Sequence, residues 1–78
     1  MKCHELKIKP EYYEKVTRGI KRFELRKDDR AYEVGDHVMF KEWDGDYTGR
    51  QTRWKTIHYI LRNCPEYGLM DGYCILGF

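Results

Sequence analysis

The sequence predicts a mainly β fold with one short helix, of the α+β class, in which about five strands close into a small barrel. Three observations predict this class. Several short segments alternate apolar and polar residues with a period of two, as half-buried strands do. One segment, residues 10–19, carries apolar residues at helical spacing instead. Turn-forming residues separate the segments, and the chain of 78 residues has the size of one domain, residues 1–78.

The first two predicted elements are a strand and a helix. In "CHELKI", residues 3–8, alternate residues share a face, which predicts a strand. That face holds His4, Leu6 and Ile8. Pro10 is compatible with the first turn of a helix, and Gly19 is typical of a helix end. The apolar stripe of this helix consists of Tyr12, Tyr13, Val16 and Ile20.

A second strand is predicted at residues 22–27, where alternation separates apolar from charged side chains. Phe23 and Leu25 share the face that we expect to enter the core. The opposite face holds Arg22, Glu24 and Arg26. Two interpretations of this charged face are open. It is either a solvated edge that resists aggregation, or the wall of a cleft in which Arg and Lys hold phosphate and Glu accepts a hydrogen bond from a base.

The rest of the chain predicts further strands joined by turns. Alternate apolar residues point inward from a strand at residues 37–43, and "DGDYTG" at residues 44–49 forms a hairpin turn. The next strand, residues 50–61, is expected to bury Ile57, Tyr59 and Leu61. The last strand, residues 73–76, is almost continuously apolar.

Charge is unevenly distributed along the chain, although the net charge is only +2. Residues 1–30 hold ten Lys and Arg against six Asp and Glu, a net of +4, and residues 31–78 hold five against seven, a net of −2. A basic first part can present one positive face to solvent. Such a face attracts phosphate-bearing partners.

Cysteine and hydropathy patterns exclude several classes of protein. The three cysteines and three histidines are scattered without metal-ligand spacing, so no metal and no cofactor are expected. An odd number of distant cysteines favours a reduced, cytoplasmic protein. No segment approaches 18 consecutive apolar residues, so no membrane span is expected.

Aromatic residues near the predicted hairpin are candidates for stacking on bases. Trp43 and Trp54 flank the turn, which contains Tyr47, and Arg53 lies next to Trp54. Bases stack on such rings when proteins bind single strands. The alternative is that the tryptophans cap the barrel or pair with residues of a neighbouring strand.

Four segments together resemble the ASCH domains of the PUA-like superfamily, in particular the small bacterial and phage subgroup DUF3850. They are "HELKIKPEYYEKVTRGIKRFELRKDDRAYEVGD", "EWD", "YTGR" and "YGLMDGYCILGF". The most specific motif is G-x-K-x-x-E-x-R, formed here by Gly19, Lys21, Glu24 and Arg26. The resemblance extends from His4 to Phe78. It implies a PUA-like β-barrel with a helix beside it and a cleft lined by the motif.

The resemblance also implies two functions. ASCH domains are proposed to bind RNA, or nucleotides carried on RNA. Some larger ASCH proteins resemble amidohydrolases that act on acetylated cytidine with a Lys, a Thr and a Glu. Lys21 matches that Lys, but Glu24 stands at the Thr position. A carboxylate does not replace an activated alcohol in acyl transfer, so this departure counts against an enzyme.

We therefore expect an RNA-binding module whose partner is RNA or a nucleotide-like ligand, and we leave its oligomeric state open. The residues expected to bind nucleic acid are Lys21, Arg22, Glu24, Arg26, Trp43, Tyr47, Arg53 and Trp54. The alternative is a small amidohydrolase in which Lys21 and Glu24 are catalytic and transfer protons.

Overall fold

The computed structural model describes residues 1–78 and contains seven strands, one α-helix and one 3₁₀ turn. In chain order the elements are β1 (Cys3–Ile8), α1 (Pro10–Thr17), β2 (Phe23–Lys27), β3 (His37–Trp43), β4 (Tyr47–Gln51), β5 (Lys55–Thr56), β6 (Tyr59–Leu61), the 3₁₀ turn (Pro65–Tyr67) and β7 (Tyr73–Gly77). Helix α1 has eight residues, so it is too short to cross a membrane.

The strands form two sheets. In the first sheet the strand order is β1-β3-β4, and β5 also pairs with β3; β1 and β3 are parallel, and the other pairs are antiparallel. In the second sheet the order is β2-β7-β6, with both pairs antiparallel. The predicted α+β class is confirmed. The predicted closure into one barrel is not confirmed, because the strands divide into two separate sheets.

The core lies on one face of β1 and β3, as the alternation in β1 predicted. His4 pairs with Val38 and Leu6 with Phe40 in the parallel register, and all four residues are buried. Helix α1 adds Tyr13 and Val16, and β7 adds Cys74 and Leu76, to the same core; the complete cluster is Leu6, Ile8, Tyr13, Val16, Tyr32, Val38, Phe40, Ile57, Cys74 and Leu76.

Helix α1 ends at Thr17, two residues before the predicted end. Gly19 adopts a left-handed conformation with φ of +73°, and the amide of Ile20 donates to the carbonyl oxygen of Lys15 over 2.9 Å. This pattern is a Schellman cap, which a glycine favours because it has no Cβ. The cap turns the chain away from the helix axis. Ile20 is therefore exposed instead of continuing the apolar stripe, and Tyr12 is exposed as well.

The prediction for the two faces of β2 was wrong. Phe23 and Leu25 are 52% and 55% exposed, whereas Glu24 is only 8% exposed. Alternation shows which residues share a face, but it does not show which face is turned inward. Glu24 is tolerated inside because a buried carboxylate with charged partners is far less costly than one without them.

The predicted strand at residues 50–61 is divided among β4, β5 and β6. Thr52 interrupts it, since its hydroxyl oxygen accepts from the amide of Phe40 over 3.0 Å and donates to the carbonyl of Arg53 over 2.9 Å. A side chain that bonds the backbone in this way replaces part of the strand ladder. Ile57 is buried as predicted. Tyr59 is 64% exposed, which contradicts the prediction that it lies in the core.

Asp36 links the loop before β3 to the start of β1. Its carboxylate accepts from the His4 side chain over 2.9 Å, and from the backbone amides of Lys2 and Glu33 over 2.9 and 3.0 Å. The hydrogen bond from His4 is the main cause that lowers the pKa of the Asp36 carboxyl, and the two amides lower it further. His4 is thus a buried, hydrogen-bonded part of the fold and is not exposed in a cleft.

Candidate functional site

The signature residues form a charge cluster at the start of the second sheet. Lys21 Nζ contacts Glu24 Oε1, and Arg26 Nη1 lies 3.2 Å from Glu24 Oε2. Arg26 Nη1 also donates to the carbonyl oxygen of Lys7 over 2.8 Å, which connects β2 to the end of β1. All three charged side chains are largely removed from solvent. Two cations around one carboxylate leave the cluster with a net positive charge.

Next to this cluster the surface forms a basic recess of about 390 Å³. Its lining residues are Val16, Gly19, Lys21, Arg22, Lys55, Thr56, His58 and Phe78. Two backbone hydrogen bonds hold its parts together: the amide of Phe78 donates to the carbonyl of Arg22, and that of His58 donates to the carbonyl of Gly77. The chain therefore brings cations from two distant segments to one hollow.

A smaller recess of about 250 Å³ lies on the other side of Lys55. It is lined by Thr17, Gln51, Thr52, Arg53 and Lys55. Lys55 is common to both recesses, so basic side chains line the surface from Arg22 through Lys55 to Arg53. We call this series of side chains the basic strip. None of the three forms a salt bridge within the chain.

A third recess, which we call the edge recess, follows the outer edge of β2 and has a volume of about 410 Å³. Its lining residues are Tyr12, Lys21, Phe23, Glu24 and Leu25. The Lys21 ammonium donates to the carbonyl of Phe23 over 2.7 Å and lies 5.1 Å from the Phe23 ring centroid and 5.4 Å from that of Tyr12. Apolar walls thus enclose one buried carboxylate and its cation. Lys21 belongs to both the basic recess and the edge recess.

Trp43 and Tyr47 form a separate aromatic cluster. They face each other across the β3–β4 pair with ring centroids 4.8 Å apart at 83°, and Lys7 Nζ lies 3.9 Å from the Trp43 ring centroid. Neither ring lines any of the three recesses. For Trp43, the structure shows the cross-strand pairing that was the alternative to base stacking. Trp54 has no such partner and is 48% exposed.

Arg50 is committed to holding α1 against the first sheet. Its guanidinium contacts the carboxylates of Glu14 on α1 and Glu42 on β3, and lies 4.6 Å from the Tyr13 ring centroid. The hydrogen bond from Arg50 lowers the pKa of Glu14, and the same bond raises the pKa of Arg50. Although it is a near neighbour of Arg53 in sequence, Arg50 is not part of the basic strip.

The family described as "Domain of unknown function (DUF3850)" matches residues 3–78, which include every residue of the charge cluster and of the recesses. The chain belongs to the DUF3850 family. The match thus contains all seven strands and the helix of this DUF3850 domain.

A similar protein is found in Escherichia phage P2. The two chains are 47% identical over 51 residues, and the relative is described as an uncharacterized 12.9 kDa protein in the GpA 3′ region. The aligned segment covers 64% of this DUF3850 chain and 47% of the phage protein. The chain therefore matches about half the length of that relative.

The structure separates the eight predicted site residues of this DUF3850 domain into distinct places. Lys21, Glu24 and Arg26 are in contact, and Arg22 lies beside them in the basic recess. Arg53 lines the second recess, and Trp54 follows it in the chain. Trp43 and Tyr47 lie in their own cluster. The recesses contribute further residues that the predicted set did not contain, among them Tyr12, Lys55, Thr56 and His58.

No local sequence signal would have identified most of these additional residues. Thr56 and His58 reach the basic recess because β5 pairs with β3 and the chain then crosses to the second sheet. Tyr12 reaches the edge recess because α1 lies between β1 and β2 in the chain and ends close to Lys21. Lys55 had one signal, since it alternates with Arg53 along the chain.

Proposed function

We propose that this DUF3850 domain binds single-stranded nucleic acid, and RNA in particular, with phosphates on the basic strip and a base in the edge recess. The observation that supports this most directly is the convergence of Arg22, Lys55 and Arg53 without any acidic partner. Cations that have internal partners stabilise a fold, whereas cations without one attract anions from solution. The ASCH resemblance, with its RNA-binding expectation, supports the same function.

The side chains of the basic strip have the chemistry that phosphates need. Arg22 offers a planar, forked set of donors, and Lys55 offers a mobile charge between the two recesses. Thr56 adds a hydroxyl in the basic recess. Trp54 lies between Arg53 and Lys55 in the chain, and its exposed ring is available for stacking at roughly 1–3 kcal/mol per base.

The edge recess has the features of a base pocket. Tyr12, Phe23 and Leu25 provide apolar walls for a flat ring, and Glu24 and Lys21 provide an acceptor and a donor at its polar end. A base that carries an exocyclic amino group can bond to both of these side chains. The amino group donates to the Glu24 carboxylate, and an acceptor atom of the ring faces the Lys21 ammonium. The recess thus favours cytosine, adenine or guanine over uracil.

A salt titration tests this function. A fluorescent single-stranded RNA of mixed sequence is titrated with the protein between about 50 and 200 mM salt, with anisotropy as the signal. Three phosphate contacts predict a slope of log K against log salt of about −2 for a single strand. The same sequence as double-stranded RNA is the control and is expected to bind more weakly, because its bases are not available for stacking. Absence of binding at the lowest salt excludes the proposal.

A second candidate function is favoured by the position of Thr56. Thr56 lines the basic recess together with Lys21, and its Oγ1 lies 3.3 Å from His37 Nδ1. A hydroxyl beside a base is the arrangement of an activated nucleophile. Incubation with N4-acetylcytidine, with chromatography for cytidine, tests for amidohydrolase activity. The activity is expected to disappear in Thr56→Val and to persist in Thr48→Val, and no product from the wild type excludes this function.

A further inference from the structure

The second sheet has an outer face that nothing in the chain covers. The registers Phe23–Gly77–Tyr59 and Leu25–Ile75–Leu61 place these residues in two rows on that face, and Lys27 pairs with Tyr73 in a third row. The residues of this outer face are Phe23, Leu25, Lys27, Tyr59, Leu61, Tyr73, Ile75 and Gly77. Lys27 carries its only charge.

The opposite face of the same sheet is already packed in the core. It contributes Leu76 and Cys74 from β7, both fully buried, and Glu24 and Arg26 from β2. Strand β7 is therefore apolar on both faces. Strands with that composition are typically covered on both sides, whereas a sheet with one face in water normally alternates apolar and polar residues. The composition of β7 therefore indicates that another molecule covers the outer face.

The size of the outer face fits a stable interface. An aromatic side chain has roughly 150–250 Å² of surface, so half-exposed Phe23, Leu25 and Tyr59 with their partly exposed neighbours present on the order of 500 Å² of apolar area. A standard protein–protein interface takes about 800 Å² from each partner, and homodimer interfaces are about 65% apolar. The apolar part of such an interface is therefore close to what this face supplies.

The shape and charge of the outer face are compatible with a second copy of the same face. Gly77 lies between Phe23 and Tyr59 in one row, so the middle strand has no side chain between two exposed rings. A position without a side chain between two exposed rings, beside the exposed Leu25, makes the face uneven, and a two-fold interface needs one surface that can fit a copy of itself. A face with a single cation offers little to the phosphates of a nucleic acid.

We propose that the protein forms a two-fold symmetric dimer in which the outer faces of two second sheets pack against each other. The basic strip takes no part in this contact, because Arg22, Arg53 and Lys55 are not among the residues of the outer face. Phe23 and Leu25 belong both to the outer face and to the edge recess, so a second copy packed on this face competes with a base in that recess. The dimer does not rest on RNA binding, and a measurement in the absence of RNA tests it separately.

Sedimentation velocity over a range of protein concentrations tests the dimer, with wild type, Leu25→Glu, Tyr59→Glu and Val34→Glu as full chains. Val34 is an exposed apolar residue of the loop before β3 and serves as the matched control. Leu25 and Tyr59 are exposed within the monomer, so both variants are expected to fold, which circular dichroism verifies. An unpaired carboxylate inside the interface is expected to raise the dimer dissociation constant at least about tenfold.

Each result decides the proposal. A wild-type dimer that dissociates in Leu25→Glu and Tyr59→Glu but persists in Val34→Glu supports it. A wild type that remains monomeric at a few hundred micromolar overturns it. The proposal is also overturned if the wild type is a dimer and neither Leu25→Glu nor Tyr59→Glu weakens it, because a different surface then forms the interface.

Discussion

Glu24 and Lys21 face each other across the start of β2, and their side chains are only 11% and 13% exposed. Arg26 completes the cluster from the other side of the carboxylate. Removing one member of such a cluster leaves the others with an uncompensated charge in a poorly solvated place. Glu24 is the member of the cluster whose removal leaves two like charges without a counter-ion.

Replacement of Glu24 by Gln is expected to lower the free energy of unfolding by about 2–4 kcal/mol, because Lys21 and Arg26 then repel each other without a carboxylate between them. Urea denaturation measures this change. Glu66→Gln is the matched control, since Glu66 is exposed and forms no ion pair, and its effect is expected to stay within about 0.5 kcal/mol. Equal effects of the two substitutions would show that the cluster contributes nothing to stability.

Substitutions in the basic strip are expected to change the salt dependence of RNA binding. Arg22→Gln and Lys55→Gln each remove one proposed phosphate contact, so each is expected to reduce the slope of log K against log salt by about 0.7. Anisotropy titrations at several salt concentrations measure the slope. Lys9→Gln removes the same charge outside the recesses and is expected to leave the slope unchanged. A uniform change in all three variants would indicate a general effect of net charge.

The two tryptophans are expected to respond differently to RNA. Trp54 is free to stack on a base, so Trp54→Ala is expected to weaken binding by roughly 1–3 kcal/mol with little loss of stability. Trp43 packs on Tyr47 and Lys7, so Trp43→Ala is expected to destabilise the fold and to leave the affinity of the folded protein intact. Fluorescence of the Trp43→Phe and Trp54→Phe variants measures each ring separately. Quenching of Trp43 alone would reverse this assignment.

Asp36 is expected to make stability depend on pH in the acid range. Its pKa is lower in the folded protein than in the unfolded chain, where it is about 3.9. The unfolded chain therefore takes up a proton first as pH falls. The stabilisation is complete above about pH 4 and is lost as pH falls from there toward the folded pKa.

The variant Asp36→Asn isolates this contribution. It is expected to cost about 2–3 kcal/mol at neutral pH, because an amide group would meet donors that now bind a carboxylate. Urea midpoints between about pH 5 and pH 2.5 are expected to fall less steeply in the variant than in the wild type. Parallel pH profiles in the two proteins would assign the acid sensitivity to other carboxylates.

Local patterns predicted the elements better than they predicted the orientation of those elements. The alternation in β1 correctly placed Leu6 and Ile8 in the core, and Pro10 marked the start of α1. For β2, hydrophobicity alone predicts that the apolar residues enter the core. That rule failed because Lys21 and Arg26, which are close to Glu24 in sequence, provide partners for an inward carboxylate, and hydrophobicity alone takes no account of such partners.

The candidate site was predictable only where its residues are close in sequence. The motif residues Lys21, Glu24 and Arg26 form the expected cluster, whereas Trp43 and Tyr47 satisfy each other across a strand pair. Pairing across strands depends on register, which the sequence of one strand does not specify. The contribution of Lys55 and Thr56 to the basic recess is also not specified by the sequence of one strand, because it depends on how the chain crosses between the two sheets.

The strand order β2-β7-β6 determines when the second sheet can assemble. Strand β2 contacts β6 only through β7, so β2 has no ladder partner until a strand from much later in the chain arrives. Contacts between such distant segments require closure of a long loop before any energy is gained, which slows folding. During synthesis, Phe23 and Leu25 therefore have no partner strand until β7 has left the ribosome, and we expect this half of the molecule to form last.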